Sequence, residues 1–337
     1  MRLRLAFSTL AFALTACGGE KASAPDAENP AGASPSAGSE SEGAANGSSD
    51  ASGIGSEKDA AMAGVQGKTE TFPEAASLDA LKQKLGKGSL DGIARLDLAG
   101  RTLGSGLGKL LGSSSALSGL AALDVSDNDL GADGVRAFAK SSRLGALQQL
   151  EIAGNEIGDP GAAALAGASG LKSLTILNLS GNAIGPTGTR ALAGSSLLDQ
   201  VVSLDLSMNP IGSDGAKALA SSAHLGELRS LFLLGSEIGP QGAAALASSS
   251  KLHALVLLAL SGNGIGDAGA QALASSALVA SVKTLDLSAN GIGDAGAKAL
   301  ASSTHLGSVR SLEMFGNDFG VAGRDALKKR FASALKL

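Results

Sequence analysis

Few side chains in this sequence are equipped for chemistry. There are three histidines, His224, His253 and His305, and one cysteine, Cys17. His224 and His305 occupy one position of an internal repeat, three units apart, and His253 falls near the same edge. No pair of them reaches a shared zinc ion at about 2.0–2.1 Å, and neither a His-x-x-x-His nor a multi-Cys spacing exists. The phrase GSGLGK at 104–109 looks like a phosphate loop. Walker spacing, however, would place Leu103 where glycine is required and Leu110 where Ser or Thr is required. The acidic stretch DVSDNDLGAD at 124–133 lacks the ligand order of a calcium loop. Serines are abundant, but none has a histidine and an acid beside it in the repeat. The expectation is therefore no enzyme, no metal and no cofactor. Cys17 has no partner for an intramolecular disulfide.

The context of Cys17 gives its thiol a different use. Residues 1–17 read MRLRLAFSTLAFALTAC, with Arg2 and Arg4 ahead of a short apolar run, Leu5–Ala16. The run is too short for a stable bilayer span. Leu14-Thr15-Ala16-Cys17 resembles the lipobox of bacterial lipoproteins. That resemblance implies a signal peptide over 1–16, cleavage before Cys17, and lipid on its thiol and new amino group, palmitate-like chains included. Each buried CH₂ adds about 0.8 kcal/mol of membrane affinity. Gly18 is not the Asp that in many diderm bacteria retains lipoproteins at the inner membrane, so the implied location is the cell envelope, with the outer membrane favoured. An ordinary secretory signal with an incidental cysteine is the alternative.

These features lie ahead of a segment with no means of folding. Residues 17–70 comprise the cysteine and a stretch rich in Gly, Ala, Ser, Pro and Glu. Too few apolar residues are present to offset ordering entropy, and a disordered tether is expected. About 50 such residues span roughly 40 Å on average.

From Arg101 to Asn317 the chain is periodic. Arg101, Asn128, Asn155, Asn182, Asn209, Ser236, Asn263, Asn290 and Asn317 are each 27 residues apart, which defines nine units. Around them runs L-x-x-L-x-L-x-x-N-x-I-G, as at Leu174, Leu177, Leu179 and Ile184, followed by G-A-x-A-L-A-x-S. This resembles the leucine-rich repeat, in its ribonuclease-inhibitor-like form with bacterial relatives that carry a GALA phrase. The resemblance implies an α/β solenoid curved as a horseshoe, with parallel strands on the concave face and short helices on the convex face. The residues point the same way. L-x-L alternates as a half-buried strand does, and the small-residue segment has helical spacing. In the eighth unit Asp294 is placed to cap a helix from about Ala295 to Ser302. Glycine follows the Ile position in all nine units, where positive φ or a close approach is expected. Asn128, Asn155, Asn182, Asn209, Asn263, Asn290 and Asn317 are expected to form a buried ladder, each amide serving main-chain groups of the turn.

A single unit cannot bury its own apolar face, so the array needs caps at its ends. Residues 71–92 are expected to supply a helical cap, with Thr71 and Glu74 in capping-box spacing. The repeats occupy 93–323. Residues 324–337 are expected to form a C-terminal capping helix whose Arg324, Lys328, Lys329 and Arg330 face water.

Function then falls to the strand positions six, four and two residues before the Asn. The middle column, from Asp97 to Glu313, is acidic at six of nine positions. The chain carries a formal charge of −4, or −6 without Arg2 and Arg4, and has no Trp or Tyr. That composition argues against nucleic acid as partner. Unit six breaks the pattern with Phe232, Leu234 and Ser236. With Leu257 and the outlier Phe315 these are expected to make an exposed apolar patch, flanked by Asp205, Asp286 and Glu313, that docks a basic protein. The expected molecule is a monomeric, membrane-anchored interaction module. The alternative is a passive envelope lipoprotein without a specific partner.

Overall fold

A computed structural model describes residues 67–73, 77–86 and 92–337. Each 27-residue unit contributes one short strand. They are β2 (Ile93–Asp97), β3 (Ala122–Asp124), β4 (Gln149–Glu151), β5 (Ile176–Asn178), β6 (Ser203–Asp205), β7 (Ser230–Phe232), β8 (Leu257–Ala259), β9 (Thr284–Asp286) and β10 (Ser311–Glu313). All pair in parallel and in sequence order, flanked by β1 (Lys68–Thr71) and β11 (Leu335–Lys336). The register is constant: Asp97 stands beside Asp124, Asp124 beside Glu151, and so on through Phe232 and Ala259 to Asp286 and Glu313. Helices such as Gly158–Ala166, Gly212–Ala220 and Asp294–Ser302 return the chain. Helices are wider than the ~4.8 Å strand spacing, so this stack is an α/β leucine-rich-repeat solenoid with strands on its inner side. One continuous core of leucine, isoleucine, valine and phenylalanine runs from Phe72 to Phe331.

Three polar ladders tie each unit to its neighbours. Asparagine builds the first. The Asn155 Oδ1 atom accepts the N–H of Asn128 at 3.1 Å and of Leu130 at 3.2 Å, and its Nδ2 donates to the carbonyls of Val125, Ile152 and Ala153. Asn182, Asn263 and Asn290 repeat the pattern. Serine builds the second. The hydroxyls of Ser141, Ser195, Ser222, Ser249 and Ser303 donate to carbonyls 29 residues earlier, at 2.5–2.8 Å. These carbonyls lie at the end of the preceding helix, where four C=O groups lack an intrahelical partner.

Aspartate builds the third. Asp294 does not cap its own helix: it is the first residue of Asp294–Ser302, and its Oδ1 accepts the N–H groups of Gly320 (2.9 Å) and Gly323 (2.8 Å) in the next unit. Asp159 and Asp267 do the same for Gly185 and Gly188, and for Gly293 and Gly296. This sets the conformation of the glycine that follows the Ile position. Without an upstream acid its N–H donates forward to the next unit's turn carbonyl, as from Gly212 to Ser236, and φ is positive, +57° to +68° at Gly104, Gly131, Gly158, Gly212, Gly239 and Gly266. With the acid, Gly185, Gly293 and Gly320 turn back toward it and are extended, with φ of −93°, −90° and −82°. Positive φ is thus required at six of the nine positions. The second glycine column serves close packing: a Cβ on Gly242 would lie 2.7 Å from the Cβ of Ile238.

The ends differ from the sequence expectation. Lys68–Thr71, assigned to the tether and to a helix cap, is the edge strand β1, and Phe72 is buried against the first unit. The first described helix starts at Leu78, and Ser77 Oγ caps it by accepting the N–H of Ala80 at 3.2 Å; Thr71 does not, and Glu74 lies outside the described residues. At the other end the helix Val321–Phe331 begins inside the ninth unit, and the chain finishes as a strand on β10 rather than a continued helix. Cys17 and residues 17–66 also lie outside the described residues. Among the described residues no helix is long and apolar enough to cross a membrane.

Candidate functional site: the strand face

On the three-residue strands β3–β10 the middle leucine points into the core and its two neighbours point to the inner face; on β2 Leu96 takes the core position, between Arg95 and Asp97. The acidic column on that face has a structural task. Asp97, Asp124, Asp205 and Asp286 each accept, through Oδ1, the backbone N–H two residues on, at 2.9–3.0 Å, and Asn178 does the same for Ser180. Burial is the main reason that the Asp124 and Asp286 carboxyls titrate above the ordinary aspartate range. The bonds from Ser126 and Ser288 oppose it, and Asp97 beside Asp124 and Glu313 beside Asp286 add repulsion. The flanking acids Asp205, Asp286 and Glu313, expected to be accessible, are buried. Glu313 accepts Lys336 Nζ at 2.8 Å.

The apolar break is present, but deeper than expected. Phe232, Leu257 and Ala259 form a small cluster of their own, separate from the leucine core, with Leu234 packed against it and half-buried. Phe232 is 3 % exposed and Leu257 2 %, so neither is an exposed anchor. The register explains this: Phe232 stands beside Ala259, whose small side chain leaves room for the ring against β8 and Leu257. Without an acid at position 232, the Leu234 N–H turns to the preceding unit and donates to Ser207 Oγ at 3.2 Å.

Neighbouring departures converge on the same strands. Ser236 interrupts the asparagine ladder. Its Oγ makes only long contacts, 3.3 Å to the Leu206 carbonyl and 3.4 Å to the Leu234 carbonyl. Ile211, whose counterpart Ile184 binds the next asparagine, donates instead to the Asn209 carbonyl at 2.7 Å. Met208, at the rim of the preceding turn, is 68 % exposed, with its Sδ over Gly235. Sequence reading missed Met208. Its signal was a large apolar residue where neighbouring units carry glycine. Phe315 is 41 % exposed two strands beyond Leu257, outside the cluster.

The histidine side chains make separate local contacts. His224 Nδ1 lies 2.7 Å from Asp199, and His253 Nδ1 lies 3.1 Å from the Lys251 carbonyl. Among the described residues no three His, Cys, Asp or Glu side chains converge on a metal position. The GSGLGK stretch forms the turn and helix start of the first unit, and its Gly104 N–H is taken by the Asn128 carbonyl.

A family model described as Leucine Rich repeat matches residues 120–139, 147–166, 170–193, 201–220, 252–274 and 280–301. The sixth unit, with Phe232, Leu234 and Ser236, falls between two matched segments. No curated protein matches the chain. Among solved structures, the yeast Rad7–Elc1 complex matches at a TM-score of 0.51 and 16 % identity, covering 79 % of this chain and 70 % of that one. An internalin of Listeria monocytogenes matches at a TM-score of 0.43 and 17 % identity, covering 75 % and 68 %. The former likeness is one of fold.

Proposed function

From the premise that the chain is a leucine-rich-repeat protein, we propose that it is a non-enzymatic protein-interaction module that binds its partner on the strand face. One observation carries this reading: the cluster of Phe232, Leu257 and Ala259 stands apart from the leucine core, on the face where most other units place polar side chains. Half-buried Leu234 and exposed Met208 are its accessible part, and Phe232 and Leu257 form its floor. The carboxylates around it give the face a negative potential that steers a basic partner, while apolar contact holds it. In this reading Cys17 carries lipid that anchors the protein in a bacterial envelope, at the outer membrane, and the segment after it gives reach. The protein acts as a monomer.

Leu234→Asp together with Met208→Ser tests the surface without emptying its floor. Crosslinking capture from envelope extracts should lose the partner while circular dichroism and melting stay native. Unchanged capture rejects the surface. The burial of Phe232 and Leu257 favours a second reading, in which the cluster is structural and the protein a passive envelope component. That reading requires empty captures from the wild-type protein.

A further inference from the structure

A hollow of about 220 Å³ opens on the same face, at its N-terminal end, lined by Thr69 of β1, Arg95 and Asp97 of β2, Ala122 and Asp124 of β3, and Gln149 and Glu151 of β4. Its shape follows from the register. Arg95 and Gln149 stand either side of Ala122 in one column, and Arg95 Nη2 reaches Gln149 Oε1 at 3.3 Å across the small side chain. Gln149 Nε2 donates in turn to Glu151 Oε1 at 3.2 Å. Below this bridge Asp97, Asp124 and Glu151 lie on three adjacent strands, where like charges oppose each other. Arg101 is 3.8 Å from Asp97. Two guanidinium groups against three carboxylates leave one formal negative charge.

The molecule itself shows what such a column accepts. At the far end, Asp286 and Glu313 form the same neighbouring pair, and the last strand lays Lys336 over it, Nζ 2.8 Å from a Glu313 that is 2 % exposed. A lysine ammonium carried on a strand is therefore a ligand this column already holds. The N-terminal acids do not converge on a metal position, which favours an extended organic cation over a bare ion.

We propose that the hollow formed by Arg95, Asp97, Asp124, Gln149 and Glu151 is a subsite for one lysine side chain of the bound protein. This rests on the strand-face reading above and gives the partner a geometry. β3 and β7 are four strand spacings apart, about 19 Å, so the partner presents a lysine about 19 Å from the apolar residue that meets Leu234. An extended segment of about six residues covers that distance.

The test needs no partner. Nα-acetyl-lysine methylamide, and its neutral counterpart Nα-acetyl-norleucine methylamide, are titrated into the whole protein while the amide resonances of Thr69, Ala122 and Gln149 are followed. The lysine probe should give saturable shifts at these three amides, the norleucine probe none. Glu151→Gln and Asp124→Asn, which keep the shapes and acceptor oxygens, should each weaken binding at least tenfold. Equal shifts from norleucine, or lysine shifts unchanged in both variants or spread over all exposed acids, overturn the subsite. Such a failure leaves the Leu234 surface standing, because capture through that surface is scored separately with Leu234→Asp.

Discussion

The glycine after the Ile position provides a quantitative test of how one unit governs the next. At Gly212 the backbone φ is +62°, no atom lies closer than 4.0 Å to an added Cβ, and the upstream position is Pro186, which offers no carboxylate. At Gly185 φ is −93°, and the carboxylate of Asp159 lies 3.4 Å from an added Cβ, an ordinary contact. The two sites thus differ in conformation rather than in space. An alanine held at positive φ costs about 1–2 kcal/mol, and for a chain of this size each kcal/mol lowers Tm by about 2–4 °C. Gly212→Ala should lower the melting temperature by about 2–8 °C. Gly185→Ala should be neutral, or raise it slightly by restricting the unfolded chain. Asp159→Ala removes the acceptor that holds Gly185 extended. In that background Gly185→Ala should become costly, giving a coupling of about 1 kcal/mol or more in a double-mutant cycle. Melts and urea titrations followed by far-UV circular dichroism measure all four proteins. Equal losses at Gly185 and Gly212, or no coupling between Asp159 and Gly185, would refute the reasoning.

Three other perturbations follow from the ladders and the acidic column. Ser236→Asn restores an acceptor for Ile211 and should stabilise by about 1 kcal/mol; a lower urea midpoint would contradict the ladder's role. Ser222→Ala strips the Ala193 carbonyl of a 2.6 Å bond and should cost about 1–3 kcal/mol, whereas an unchanged melt would show that the carbonyl finds other partners. Asp286→Asn keeps the oxygen that accepts Ser288 N–H, as Asn178 does for Ser180. The folded carboxyl of Asp286 titrates above its unfolded value of about 3.9, so the native state binds protons more readily, and ionisation destabilises the fold as pH rises through the folded value. The asparagine variant should therefore be more stable than wild type at pH 7, with the gain fading toward pH 4. A difference that grows on acidification would reverse the sign.

The fold was legible because its pattern is local and recurs: L-x-L alternation and the Asn-x-Ile-Gly turn can be read within most single units, and aligning successive units gives the 27-residue spacing. The serine and aspartate ladders were not. Ser222 meets Ala193 and Asp294 meets Gly320, at offsets of 29 and 26 residues, which no single unit displays. Asp294 looked like a cap for its own helix because the nearest free N–H groups in sequence are there, whereas stacking puts the next unit's N–H groups closer in space. For the strand face, the columns correctly make Phe232, Leu234 and Leu257 neighbours. They do not carry depth. Strands packed a few ångströms apart cover one another's side chains, and Ala259 beside Phe232 lets the ring sink. Lys68–Thr71 was unreadable as a strand because KTET has no apolar alternation. Only the open edge of β2 draws it in.

Crosslinking with mass spectrometry on the whole chain tests the central claim most directly. A binding module working through its strand face should give crosslinks between one recurrent partner and residues bordering β6–β8, and these should vanish in Leu234→Asp with Met208→Ser. Crosslinks confined to the helical face, or a partner whose yield is indifferent to the two substitutions, would contradict it.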